Sequence, residues 1–248
     1  MLDTAARHDL RLLITFFTGH MSGINWVPEW ALNKKSTKMK RIGFYPAIAN
    51  GKVSKYPIKN LFEDPLMRKA EKLQIRTIVS KFLHHPGLWG WDLSNEVSNL
   101  YIPRSSEVAK SWIQILTKEI RRIDTVHHIV CGIHTEDLER DRGFRQQDIS
   151  LFCDYPVMHG YPMFCSCAKD PLDSDLVPFL NILTESLSKK PVLFEEFGLA
   201  TVPLGEPARK ILQGERIIYM ATEEEASTYY SQVLEKLYQI GSIGALAW

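Results

Sequence analysis

Six short apolar runs alternate along this chain with longer stretches of helical periodicity. That alternation restricts the fold more than any single motif. The runs LRLLITFF (Leu10–Phe17), Leu88–Leu93, His128–Gly132, Asp154–Met158, Pro191–Glu195 and Gly244–Trp248 are too short for helices. They are continuously apolar, as strands covered on both faces must be. Between them, Pro65–His84, Ser105–Asp124, Asp175–Ser188 and Thr222–Ile240 carry apolar residues at helical spacing. Asp64 stands at the first start, Pro65 in the first turn, and three glutamates open the last helix. Those are start signals for helices. Strand and helix in turn predict a parallel sheet wrapped by helices.

Two architectures use such a sheet. A doubly wound open sheet announces a glycine-rich phosphate loop after its first strand, and Thr18-Gly19-His20 is not one. A (β/α)8 TIM barrel needs eight strands, and six are predicted. Residues 3–8 read as the tail of a helix, and the sequence ends on a strand. The expectation is therefore an α/β barrel truncated to strands 3–8, forming one domain over residues 1–248. The segment Thr18–Asp64 is too long for a connector and predicts a functional insertion. Within it, the basic stretch Lys34–Arg41 reads as a solvated loop face.

Barrels of this kind place their working residues at the carboxyl ends of strands. The first predicted strand ends near His20, the second at Asn95-Glu96 and the third near His134. The fourth ends at His159-Gly160-Tyr161, the fifth at Glu195-Glu196-Phe197-Gly198 and the last at Trp248. Two carboxylates with imidazoles, a phenol and an indole form the inventory of glycosidic bond hydrolysis, which needs one acid and one carboxylate. Trp26, Trp30, Tyr161 and Trp248 could offer flat faces to sugar rings. Residue parity opposes a simple reading. Strand neighbours point to opposite faces, so Asn95 and Glu96 can share a site only if the strand ends or bulges there. The same rule sets Glu195 against Glu196.

Taken in order, SNE, HGY, EEFG and a final Trp resemble the clan A retaining glycoside hydrolases, above all glycoside hydrolase family 5 and related β-mannanases. The resemblance implies Glu96 as acid/base and Glu196 as nucleophile. Asn95 would bind the sugar 2-hydroxyl, and Tyr161 would hydrogen-bond the nucleophile. His159, His20, Trp248 and Trp26 complete the implied substrate-binding set. The implied reaction is double displacement on a β-mannan or β-glucan. The family's strand 2 arginine has no counterpart, so an inactive or purely carbohydrate-binding barrel fragment is the alternative, and the chain by itself is expected to have little activity.

Other classes lack support. The net charge of +1 gives no excess for nucleic acid or an anionic membrane. No apolar run reaches the roughly 18 residues a membrane span needs. The start MLDTAARHDL lacks a signal-peptide core. A natural N-terminus would therefore imply a cytoplasmic protein, and a truncated one is compatible with secretion. Cys131, Cys153, Cys165 and Cys167 match no common zinc spacing and read as free thiols. No metal and no cofactor is expected, and the oligomeric state is left open. His159 also fits a hydrogen-bonded core histidine, and Trp89, Trp91 and Trp112 read as core.

Overall fold

The computed structural model describes residues 1–21, 23–36, 45–213 and 216–248. Residues 37–41 of the predicted basic loop lie outside that set. The chain folds as two compact units. The first comprises Met1–Ile133 and Arg140–Tyr155, and the second His134–Glu139 and Pro156–Trp248.

In the first unit, the strands Leu12–Phe17, Leu88–Ser94 and His128–Val130 form a parallel sheet with Leu88–Ser94 in the centre. The central strand is almost wholly buried, which is why its sequence is a continuous apolar run. Two helices accompany this sheet. Pro65–Phe82 starts where Asp64 Oδ1 accepts the Leu66 and Met67 amides at 2.9 and 3.2 Å. Ser106–Arg121 buries Trp112, Ile113, Leu116 and Ile120. Phe62 packs edge-on against Trp112, with Phe144 at 5.7 Å from Phe62, so part of the long segment closes this core. The described residues of the Thr18–Asp64 segment also build a small four-stranded sheet, a feature with no run long enough to predict. Trp91 and Trp112 are core, as expected. Trp89 is only half-buried, and lies against His128 and Tyr155.

In the second unit, the parallel sheet runs Val157–Gly160, Leu193–Phe197, Gly244–Ala247, with Leu193–Phe197 central. The strand predicted to finish at Glu195 extends to Phe197, so both glutamates lie inside it. Leu176–Ser188 and Glu223–Gln239 are its long helices. The second opens with a capping box: Thr222 Oγ1 accepts the Glu225 amide and Glu225 accepts the Thr222 amide. This reciprocal pairing satisfies two otherwise orphaned donors. An antiparallel hairpin, Arg209–Gln213 with Arg216–Met220, is an addition that the sequence pattern does not announce.

All six predicted strands are thus present, as two three-stranded parallel sheets. Among the described residues, Leu12–Phe17 and Gly244–Ala247 are edge strands, each with one ladder partner. No helix among the described residues is long and apolar enough to cross a membrane.

Candidate active-site residues

The central strand of the first unit stops at Ser94, and the backbone beyond it resolves the parity problem for Asn95 and Glu96. Glu96 has φ 47° and ψ 49°, the left-handed region. A residue with a Cβ rarely adopts it, at a cost on the order of 1 kcal/mol or more, and such strain collects at functional sites. The turn frees the carboxylate from strand alternation. It is held by backbone and side-chain bonds together. The Glu96 amide donates to Gly132 O at 3.1 Å, tying the turn to the end of the neighbouring strand. Asp92 Oδ1 accepts the Ser94 and Gly132 amides at 3.2 and 2.9 Å, bracing the same two strand ends.

The Glu96 side chain has a built partner. Asn99, one helical turn on in Val97–Leu100, donates from Nδ2 to Glu96 Oε2 at 2.9 Å. Asn99 Oδ1 in turn accepts from Nη1 of the buried Arg142 at 2.7 Å. Arg142 therefore fixes the orientation of the amide that holds Glu96. Asn95 points elsewhere: its Nδ2 donates to the His20 carbonyl at 3.1 Å. His20 is buried, with Nδ1 donating to Asn25 Oδ1 at 2.8 Å and its ring 4.6 Å from Tyr45. Asn25 Nδ2 donates to the Asn99 carbonyl at 3.3 Å. Asn95, His20, Asn25, Asn99 and Glu96 form one linked set. Trp26 lies in a short strand beside it in sequence and is 50% exposed, and Trp30 is 49% exposed.

The second unit holds the other carboxylates. The ladder between Val157–Gly160 and Leu193–Phe197 pairs Met158 with Phe194 and then His159 with Glu196, skipping Glu195. The ladder on the other side also slips, from Ala245–Phe194 to Ala247–Phe197. Such an extra residue is a β-bulge, and it re-aims side chains. The opposite-face rule therefore does not separate the two glutamates. His159 Nε2 donates to Glu195 Oε2 at 3.3 Å, while its Nδ1 lies 3.7 Å from Glu196 Oε2. Tyr161 Oη donates to Glu196 Oε1 at 2.5 Å. The Glu195 side chain is nearly buried at 8% exposure, and that of Glu196 is 21% exposed. Glu196 is thus the more open carboxylate, and Glu195 the one packed on the imidazole. Thr135 Oγ1 donates to the His159 carbonyl at 3.1 Å, fixing the strand that carries it.

Gly198 explains the last letter of EEFG. A Cβ there would fall 2.2 Å from the Trp248 carbonyl oxygen and 2.8 Å from Tyr230 Oη. The Trp248 amide donates to Phe197 O at 2.8 Å, and Tyr230 Oη donates to Trp248 O at 2.9 Å. This close approach positions Trp248, which is 67% exposed.

The structure therefore gathers Asn95 and His20 with Glu96 in one unit, and His159, Tyr161, Glu195 and Glu196 in the other. Sequence reasoning missed Asn25, Asn99, Arg142, Thr135 and Tyr230. Only Asn99 left a signal, its position three residues after Glu96, which one helical turn brings round.

Parallel strands with helices between them, in each of the two units, are the building pattern of an α/β barrel. Comparisons point the same way. No protein-family model matches the chain. It is similar to a probable mannan endo-1,4-β-mannosidase A-2 of Aspergillus terreus, 24% identical over 221 residues, covering 80% of this chain and 47% of the relative. A probable mannan endo-1,4-β-mannosidase C of the same fungus is 26% identical over 159 residues, covering 55% and 38%. An exo-β-1,4-mannosidase structure from Opitutaceae bacterium strain TAV5 superposes with a TM-score of 0.72 at 25% identity, covering 100% of this chain and 40% of that one. The chain thus spans less than half the length of these relatives. In sequence and fold it is like a clan A, family 5 glycoside hydrolase, and its described residues include six parallel strands in two three-stranded sheets, where a (β/α)8 barrel has eight strands.

Proposed function

We propose that the protein from which this chain comes is a retaining glycoside hydrolase acting on a β-linked mannan or glucan. The observation that carries the reading is the Tyr161–Glu196 hydrogen bond at the strand end. A phenol donating to one carboxylate oxygen orients the carboxylate at the strand end, as a nucleophile requires. Glu196 is the nucleophile in this reading and displaces the leaving group at the anomeric carbon, forming a glycosyl-enzyme ester. Glu96 first gives its proton to the departing glycosidic oxygen, then takes one from the water that releases the sugar. Asn99, oriented by Arg142, holds the Glu96 carboxyl through both steps. Asn95, His20, His159, Trp26 and Trp248 bind the sugar. The mannosidase relatives favour a mannan or manno-oligosaccharide over a glucan.

The test uses aryl β-mannosides and β-glucosides with good and poor leaving groups, with mannan and glucan polymers as a panel. Glu96→Ala should slow poor leaving groups far more than good ones, because only the poor ones need protonation. Glu196→Ala should abolish turnover of both. Proton NMR of the first product should show the β-anomer. Equal losses for both leaving groups would remove Glu96 from the acid role, and an α-anomer would exclude double displacement. No turnover of any of these substrates, by this chain and by a form carrying two further βα units upstream, would favour a binding-only protein.

A further inference from the structure

Outside those residues, one cluster brings together side chains that the proposed hydrolysis does not use. Cys165, Ser166 and Cys167 lie in a tight turn closed by the Ala168 amide on the Cys165 carbonyl at 3.4 Å. The turn puts both thiols on one side, with their sulfurs 2.9 Å apart. Glu139, the last residue of the helix Thr135–Glu139, reaches the same place. Its Oε1 accepts from Ser166 N at 3.2 Å, Ser166 Oγ at 2.9 Å and Cys165 Sγ at 3.4 Å. One ligand atom from each of Glu139, Cys165 and Cys167 lies within 4.8 Å of the others.

We propose that Cys165, Cys167 and Glu139 form a binding site for a thiophilic divalent cation of the zinc class. Two sulfurs and one carboxylate oxygen match a borderline-soft ion, whereas calcium and magnesium demand oxygen ligands throughout. Cys165 is buried, while Cys167 and Glu139 are exposed, so solvent can enter and a water can complete a tetrahedron. Zinc–sulfur bonds of about 2.3 Å at a tetrahedral angle require sulfurs roughly 3.7 Å apart. The pair must therefore open by somewhat under about 1 Å, and one partner sits on an exposed turn. Binding exchanges two thiol protons for the dication: both S–H bonds break, two metal–thiolate bonds form, and the protons leave to solvent. No oxidant is needed. A disulfide between the same residues would remove the S–H that Cys165 gives Glu139 and leave the carboxylate facing a sulfur with nothing to donate. A disulfide would leave Glu139 bonded to Ser166 alone, whereas a cation uses both sulfurs and the carboxylate. Sequence spacing alone argues against a metal here because the third ligand comes from a distant helix.

The turn lies close after Tyr161, whose ring is 5.8 Å from Phe164, and Glu139 ends the helix whose Thr135 holds His159. The site is thus joined on both sides to the strand end that carries His159 and Tyr161, but its existence does not depend on any enzymatic reading.

Cobalt(II) chloride added to the reduced chain, with a phosphine reductant present, reads the site directly. One ion per chain should bind and give thiolate-to-cobalt charge-transfer absorption in the near ultraviolet, together with tetrahedral d–d bands. Stoichiometric zinc should bleach both. Cys167→Ser should remove most of the charge-transfer band. Glu139→Gln should keep it but weaken affinity at least roughly 10–100-fold, the loss already seen when only a ligand's outer-shell partner is removed. Both substitutions are at exposed positions, and far-ultraviolet circular dichroism confirms their folding. The proposal is overturned if cobalt gives no thiolate band, or if Cys167→Ser binds like the parent. It is also overturned if the air-handled chain shows an intact mass lower by two thiol hydrogens and binds no cation after reduction.

Discussion

The buried Glu71 sets a pH dependence that the structure fixes in sign and size. Glu71 lies on the inner face of Pro65–Phe82 and is 2% exposed. Burial pushes its carboxyl up from 4.5 to about 7. Hydrogen bonding and charge pull the other way but do not win. Trp112 Nε1 donates to Oε1 at 3.2 Å, Arg68 Nη1 stands 3.9 Å from Oε2, and Lys72 adds a weaker attraction. The folded chain therefore holds this proton more tightly than the unfolded one does. The stabilisation is fully present below pH 4.5, declines above it, and is lost as pH rises through about 7. A rise from 4.5 to about 7 is worth about 3 kcal/mol. Glu71→Gln keeps the acceptor for Trp112 and has no proton to lose. Its stability relative to the parent should thus improve by about 3 kcal/mol between pH 4 and pH 8. Urea unfolding at several pH values measures this as a difference between two chains, so carboxylates with lowered values, such as Glu119 beside Arg76, cancel. Parallel stability profiles for parent and variant would refute the reasoning and show that Glu71 ionises freely in the fold.

Two further outcomes rest on contacts at the strand ends of the second unit. Tyr161→Phe removes a hydrogen bond to a carboxylate worth about 1.5–3 kcal/mol, so kcat/KM on an aryl β-mannoside should fall roughly 10- to 150-fold with the fold intact; an unchanged rate would mean that Tyr161 does not orient Glu196. Gly198→Ala forces a Cβ to 2.2 Å from the Trp248 carbonyl, so thermal unfolding should show a loss of about 1–3 kcal/mol and Trp248 fluorescence should change; a silent substitution would mean that the Gly244–Ala247 edge strand yields freely.

How much of the fold is legible depends on whether its signal is periodic. The six strands and four long helices announce themselves because burial on both strand faces, or on one helical stripe, imposes a regular pattern. The hairpin Arg209–Gln213 with Arg216–Met220 does not. Leu212 and Ile217 pair across it and are both exposed, while the next residue, Ile218, is buried, so apolar residues occupy both faces and no apolar–polar alternation marks the strands. The small sheet around Ile24–Trp26 is hidden for another reason. Its strands are two or three residues long, below the length at which any period can be counted.

The carboxylates show the deeper limit. Strand parity sets Asn95 against Glu96 and Glu195 against Glu196, and in neither place does the backbone keep the period. At Glu96 the chain leaves the strand through a left-handed residue anchored on Gly132. At Glu195 and Glu196 both neighbouring ladders slip by a residue, and His159 meets the two carboxylates together. Each irregularity needs a partner distant in sequence: Gly132 and Arg142 for the first, His159 and Tyr161 for the second. A local reading finds the acidic residues because their type is wrong for a core strand. It cannot find their directions, because those are set where regular structure stops. The residues that enforce such breaks, Asn99 and Arg142 among them, carry the proposed chemistry only through the geometry they hold, so they leave almost no mark on a sequence read alone.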